Sequence, residues 1–335
     1  MRSKLLLVLT LIVAVLVIFV SINSRNTKKP IGNVSKPVVE ANTKEWIPPS
    51  IDTVNNDSRG DLIRYGRELI ANTSKFLGPK GTVSKHSNGL NCQNCHIDAG
   101  TRSFGNSFSA VASTYPKFRE RSGKIESVEF RVNECMERSL NGKKLDSLSR
   151  EMLAMVSYMK WVGQHVPKGV KPIGAGTEEL PYLNRAANAS KGKEIFIKKC
   201  QTCHGADGQG KFLTDSTGYL YPPLWGPHSY NVSAGLYRLS RFAGYVKNTM
   251  PFGSSHKNPQ LTNEEAWDVA AFVNSQPHPV KLFKYDWPDI KSKPVDYPFG
   301  PYADGFSEEQ HKYGPYPPIK EVKDRLAKSS STAKK

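Results

Sequence analysis

Four of the five cysteines stand in two matching frames, Cys92-Gln93-Asn94-Cys95-His96 and Cys200-Gln201-Thr202-Cys203-His204. Two thiols at this spacing add across the vinyl groups of a haem, and the histidine that follows is carried under the iron as an axial ligand. Half a zinc site or a thioredoxin-type redox pair also uses Cys-x-x-Cys. The adjacent histidines weaken both alternatives. No strand-then-helix pattern surrounds either pair, and 105 residues separate Cys95 from Cys200, far beyond ordinary zinc spacing. The expected cofactors are therefore two covalently bound c-type haems, held by Cys92, Cys95 and His96 and by Cys200, Cys203 and His204.

Cys135 is left over. An unpaired cysteine in an oxidising compartment is either protected or used. Residues 126–139 have a helical pattern that puts Arg131, Cys135, Arg138 and Ser139 at i, i+4, i+7 and i+8, on one face. Two guanidiniums and a hydroxyl would flank a thiolate there, and iron would stabilise that thiolate. Arg121 lies upstream in a basic run with Arg119 and Lys124. Such a pocket suits an oxyanion, because the planar guanidinium fork donates to two oxygens at once. The competing reading pairs these arginines with Glu134, Glu137 or haem propionates. A buried inert thiol and an intermolecular disulfide remain open for Cys135.

The two halves differ in their sixth-ligand candidates. Met250 is the one methionine of the second half, 46 residues after His204 and followed by Pro251 and Gly253. It is expected to ligate the second iron, and His/Met ligation raises haem potential. In the first half Met152, Met155 and Met159 form a stripe at helical spacing, which reads as core. Met136 would face about 100° away from its neighbour Cys135. Cys135 is thus the sharper candidate for the first iron.

The elements that must position these residues also repeat. Gly66-Arg67-Glu68-Leu69-Ile70 precedes the first motif and Gly192-Lys193-Glu194-Ile195-Phe196 the second. Each half closes with an amphipathic helix, about 149–166 and 262–275, the latter opened by a Thr262/Glu265 capping box. A helix leading into the motif and another crossing it is the plan of a class I cytochrome c. The expected fold is mainly α, with two such domains in tandem at 57–170 and 185–280, joined by a linker at 171–184. Residues 281–335 read as an irregular wrap and a basic tail.

Residues 5–22 are apolar apart from Thr10 and Ser21, with Arg2 and Lys4 ahead of them. As a helix they would span roughly 27 Å, close to bilayer thickness. Residues 1–24 are therefore a signal peptide or an anchor, with the balance slightly towards an uncleaved anchor, and 25–56 a polar linker. The body is exported and periplasmic, in keeping with covalent haem attachment outside the cytoplasmic membrane. The net charge of +17 suits anionic substrates or an acidic redox partner. No nucleic-acid-binding motif appears, and export argues against that partner.

With these residues in view, the chain resembles the dihaem thiosulfate dehydrogenase / tetrathionate reductase family over residues 57–280. The resemblance rests on the two haem motifs, on Arg131-Val132-Asn133-Glu134-Cys135-Met136-Glu137-Arg138-Ser139, on Tyr221-Pro222-Pro223-Leu224-Trp225-Gly226 and on Asn248-Thr249-Met250-Pro251. It implies oxidation of two thiosulfates to tetrathionate, with reversal in some members, and an external partner such as a small cytochrome c. It implies His96/Cys135 ligation at the catalytic haem, with Arg121, Arg131 and Ser139 around the substrate, and His204/Met250 at the second haem. Some members carry a lysine just before the methionine and exchange ligands. Thr249 stands there in this chain, with Lys247 three residues before Met250. Three other readings stay open: a non-catalytic dihaem electron carrier, a dihaem peroxidase, and a cysteine-ligated cytochrome that loads thiosulfate onto a carrier protein.

Overall fold

The computed structural model describes residues 45–332. The apolar segment read as signal peptide or anchor lies outside the described residues. Among the described residues no helix is long and apolar enough to cross a membrane.

Each half is built on a crossed pair of helices. In the first, Ser58–Ala71 starts where the Asp57 side chain accepts the Gly60 N–H at 2.7 Å. It packs on Arg150–Val162, capped by Ser149. In the second, Ala189–Lys199 starts at Asn188 and packs on Asn263–Ser275, where the Thr262/Glu265 capping box forms in both directions. The glycine of each repeat marks the crossing point. A Cβ on Gly66 would stand 2.0 Å from the Ala154 carbonyl oxygen, and one on Gly192 would stand 1.9 Å from that of Asp268. The backbones touch there, and only hydrogen fits. Gly192→Ala is expected to force the pair apart and destabilise the second domain by about 1–3 kcal/mol, read as a lower Cm at unchanged m in denaturant unfolding.

Leu69, Ile70, Met136, Met152, Met155 and Met159 sit in one core and Phe196, Leu239, Trp267 and Ala270 in the other. The methionine stripe is packing material, as its spacing implies. Residues 45–56, placed in the linker by sequence, contribute Trp46, Ile51 and Val54 to the first core. The class I plan and the tandem arrangement are as expected.

The C-terminal extension is largely irregular to residue 307, and its end needs correction. Glu308–Tyr313 and Pro317–Thr332 are helices, so helix reaches through the end of the wrap and into the segment read as a basic tail. Tyr316 and Ile319 are buried in the second core. They anchor a helix whose outer face carries the lysines, and a one-sided apolar pattern of that length is hard to distinguish from a solvated tail.

The two domains share contacts. Tyr245, on the helix Leu239–Thr249 that ends at Met250, donates its hydroxyl to the Asn94 carbonyl inside the first haem motif at 2.6 Å. Asn231 donates through Nδ2 to the Glu137 carbonyl at 2.9 Å, and through its backbone N–H to that of Arg138 at 3.1 Å.

Candidate active site and haem-binding residues

The first motif begins with a 3-10 turn over Cys92–Asn94, and the Thr73 hydroxyl accepts the Cys92 N–H at 2.9 Å. After His96 the chain reverses through Asp98 and Ala99, both at positive φ (54° and 53°). Gly100 follows at φ +83°, where a Cβ would strike the Phe108 ring. Phe108 lies against the imidazole of His96 with ring centroids 4.5 Å apart. Nδ1 of His96 is 2.6 Å from the Asn106 carbonyl oxygen. A carbonyl only accepts, so Nδ1 carries the proton and Nε2 keeps its lone pair. In the second motif His204 Nδ1 meets the Pro222 carbonyl at 2.9 Å, with the same consequence. Burial pushes the His96 imidazole down to about 4 and lowers that of His204 as well, so both are neutral near pH 7. A neutral imidazole with its tautomer set by a carbonyl is held as a metal-ligating histidine needs to be, with Nε2 free to donate. None of the five cysteines is in a disulfide. The residues therefore fit two covalently attached haems.

The helix Val128–Arg138 carries the rest of the first site and is capped by Ser127. Cys135 is half-buried. A negative charge there would be felt at Cys92, Cys95 and Arg131, so the fold brings the odd cysteine near the first haem motif. Arg131 stays charged: a negative charge at Cys135 would favour its cation most, against burial, and Glu134 adds to this with a 2.8 Å ion pair. Ser139 is half-buried at the C-cap and donates its N–H to the Cys135 carbonyl at 2.9 Å.

Arg121 comes from the turn of a hairpin formed by Lys117–Arg119 and Lys124–Glu126. It is 8% exposed, and among the described residues no carboxylate forms an ion pair with it within 4 Å. Its guanidinium donates to the Ser233 carbonyl at 3.3 Å and lies over the Trp287 ring at 5.6 Å. Burial, then Arg138 and Arg131, bring it down to about 10. A buried cation without a carboxylate suits an incoming anion.

Arg138 departs from the expectation that it flanks the thiolate. Its two terminal nitrogens bind Asp286 at 2.7 and 2.8 Å, one of them also meets Glu134 at 3.1 Å, and Phe283 covers the guanidinium at 3.7 Å. Its charge is spent inside the protein. Helical spacing placed it on the correct face but could not register a partner 148 residues away. Asp286, Phe283, Trp287 and Tyr245 are the contributors that sequence reasoning missed. The extension shows little periodicity, and nothing local marks them.

At the second site Met250 is the C-cap residue of the helix Leu239–Thr249, half-buried against the second core. Thr249 turns its hydroxyl back to the Tyr245 carbonyl at 2.8 Å. Lys247 is engaged by Glu178 at 3.3 Å. Glu178 also accepts from Asn248 at 2.8 Å.

Two crossed-helix domains, each with a Cys-x-x-Cys-His motif and a backed imidazole, define a cytochrome c with two covalently bound c-type haems. Residues 82–167 match the SoxA/TsdA cytochrome c domain and residues 189–277 match the cytochrome c family. The chain is 38% identical to a thiosulfate dehydrogenase of Psychrobacter arcticus over 72% of its own length and 71% of that protein. It is 36% identical to the thiosulfate dehydrogenase of Allochromatium vinosum, covering 69% of this chain and 84% of that one. A solved thiosulfate dehydrogenase (TsdBA) from Marichromatium purpuratum superposes with TM-score 0.63 at 28% identity, over 69% of this chain and 49% of that chain. The chain belongs to the thiosulfate dehydrogenase family.

Proposed function

We propose that the protein oxidises thiosulfate at Cys135, joining two molecules into tetrathionate, and passes the electrons to an external acceptor. The observation that carries this reading is Cys135, an undisulfided thiol within electrostatic reach of both first-motif cysteines, with Arg131 one helical turn away and Arg121 buried and, among the described residues, without a carboxylate ion pair. His96 and Cys135 would hold the first haem, and His204 and Met250 the second. The haems supply one-electron acceptors that take a pair of electrons in single steps.

The chain's own residues bind and activate. Arg121 and Arg131 take the sulfonate oxygens of thiosulfate and offset repulsion between dianions that must meet. Ser139 offers a further donor. The outer sulfur of the first thiosulfate bonds to the Cys135 sulfur as two electrons leave, giving a cysteine S-thiosulfonate. The outer sulfur of a second thiosulfate then attacks the sulfur attached to Cys135. Tetrathionate forms, and Cys135 departs as thiolate. This is nucleophilic catalysis with cysteine as sulfur carrier. Reversal uses the same steps. The +17 net charge supports attraction of both anions and of an acidic redox partner, such as a small cytochrome c. The site of action is the periplasm, with the N-terminal segment as export signal or anchor.

The test is EPR of the oxidised holoprotein together with thiosulfate turnover, tetrathionate being quantified as product. A thiolate-type low-spin signal with one tetrathionate per two electrons is expected. Two nitrogen- or thioether-ligated haems that do not respond to thiosulfate would leave a plain electron carrier. Met250→Gly should lower the potential of the second haem and slow electron exit while both haems stay attached. Potentiometric titration reads this directly, and an unaltered potential would remove Met250 as ligand.

A further inference from the structure

Arg131 is aimed by more than its own helix. Glu134 divides its oxygens, Oε2 to Arg131 at 2.8 Å and Oε1 to Arg138 at 3.1 Å. Arg138 is in turn clasped by Asp286 through both terminal nitrogens. The side chains of Glu134, Arg138 and Asp286 are 8%, 6% and 11% exposed, while Arg131 at the outer end is 30% exposed. Four charges of alternating sign thus run from the C-terminal extension to the cysteine. The same stretch reaches the other arginine. Trp287 donates its backbone N–H to the Arg121 carbonyl at 2.7 Å, and its ring lies beneath that guanidinium.

We propose that Asp286 is a positioning residue for the substrate pocket: by holding Arg138 it keeps Glu134 shared, and the shared Glu134 fixes Arg131 beside Cys135. The physical reason is competition for one carboxylate. Without Asp286, the buried Arg138 has Glu134 as its remaining counter-charge, and a guanidinium fork takes both oxygens of a carboxylate when it can. Glu134 then turns to Arg138 and releases Arg131. Domain two, through its extension, thereby completes the anion site on domain one. The inference rests on the proposed thiosulfate chemistry for its substrate, but the device belongs to this chain's own ion pairs.

The experiment uses oxidised holoprotein, with tetrathionate binding followed by calorimetry and thiosulfate turnover measured beside it. Asp286→Asn should weaken tetrathionate binding about tenfold, the size of one charge-assisted contact, and Asp286→Glu should recover part of the loss. In an Arg131→Lys background the same change should add less than about twofold, because the two act in series. A buried charge left single can unfold a protein, so a second variant is needed. Arg138→Met with Asp286→Leu replaces the pair by apolar volume, which often preserves folding. It should fold and bind tetrathionate within about threefold of wild type, because no second guanidinium then competes with Arg131 for Glu134. Binding as weak as in Asp286→Asn in that folded double variant, or full additivity of Asp286→Asn with Arg131→Lys, would overturn the inference. Wild-type protein that binds tetrathionate but does not oxidise thiosulfate would overturn the functional reading alone, and the binding comparison would still decide the role of Asp286.

Discussion

Cys135→Gly is expected to retain both covalent haems and to lose thiosulfate turnover by roughly 1000-fold or more, the scale seen when a covalent nucleophile is removed. The haems survive because Cys92, Cys95, Cys200 and Cys203 attach them, and none of these depends on Cys135. The helix survives because Cys135 is half-buried while Val132 and Met136 anchor it in the core. Glycine costs the helix about 1 kcal/mol, a loss that stops short of unfolding. Haem stoichiometry by absorbance, thermal unfolding and tetrathionate release should be read on one preparation. Turnover within tenfold of wild type would remove cysteine-linked sulfur transfer from the mechanism. The remaining reading would then be direct coupling of two thiosulfates between the arginines.

Arg121→Gln should cut kcat/KM for thiosulfate about 100-fold, the lower end for removing one preorganised donor from a developing anion. The effect is large because the guanidinium is buried and, among the described residues, no carboxylate is ion-paired with it. The amide retains a donor for the Ser233 carbonyl, so the local fold keeps its hydrogen bond while the charge is lost. A pH dependence follows with a definite sign. Burial and the neighbouring Arg138 and Arg131 bring Arg121 down to about 10 in the free protein. It is fully protonated at pH 7, and wild-type kcat/KM should fall about tenfold per pH unit above that value. Bound dianion favours the charged form, so the limb in kcat should lie at higher pH. The Arg121→Gln variant should lack this alkaline limb. A profile identical to wild type, or a loss under threefold, would place the binding charge elsewhere.

Much of the architecture was legible in sequence because it is local. The Cys-x-x-Cys-His spacing is dictated by the reach of two thioethers and an imidazole around one porphyrin. Asp57, Ser149 and Thr262 cap helices through hydrogen bonds within three residues, and such signals survive without knowledge of the fold. Gly66 and Gly192 were visible as a repeat, although the reason, backbone contact at each crossing, belongs to packing. The helical face of Arg131, Cys135 and Ser139 follows from 3.6 residues per turn.

By itself, then, the sequence determined a tandem cytochrome c with one odd cysteine on an arginine-bearing helix. Tertiary structure alone decided which arginine stays available. Arg131 and Arg138 are equivalent by spacing, one turn on either side of Cys135. Asp286, Phe283 and Glu134 claim Arg138, while Arg131 retains an exposed edge and Arg121 is turned inward beside Trp287. An ion pair is set by distance in three dimensions and by what water is excluded, and neither quantity is written in the separation of residues along the chain.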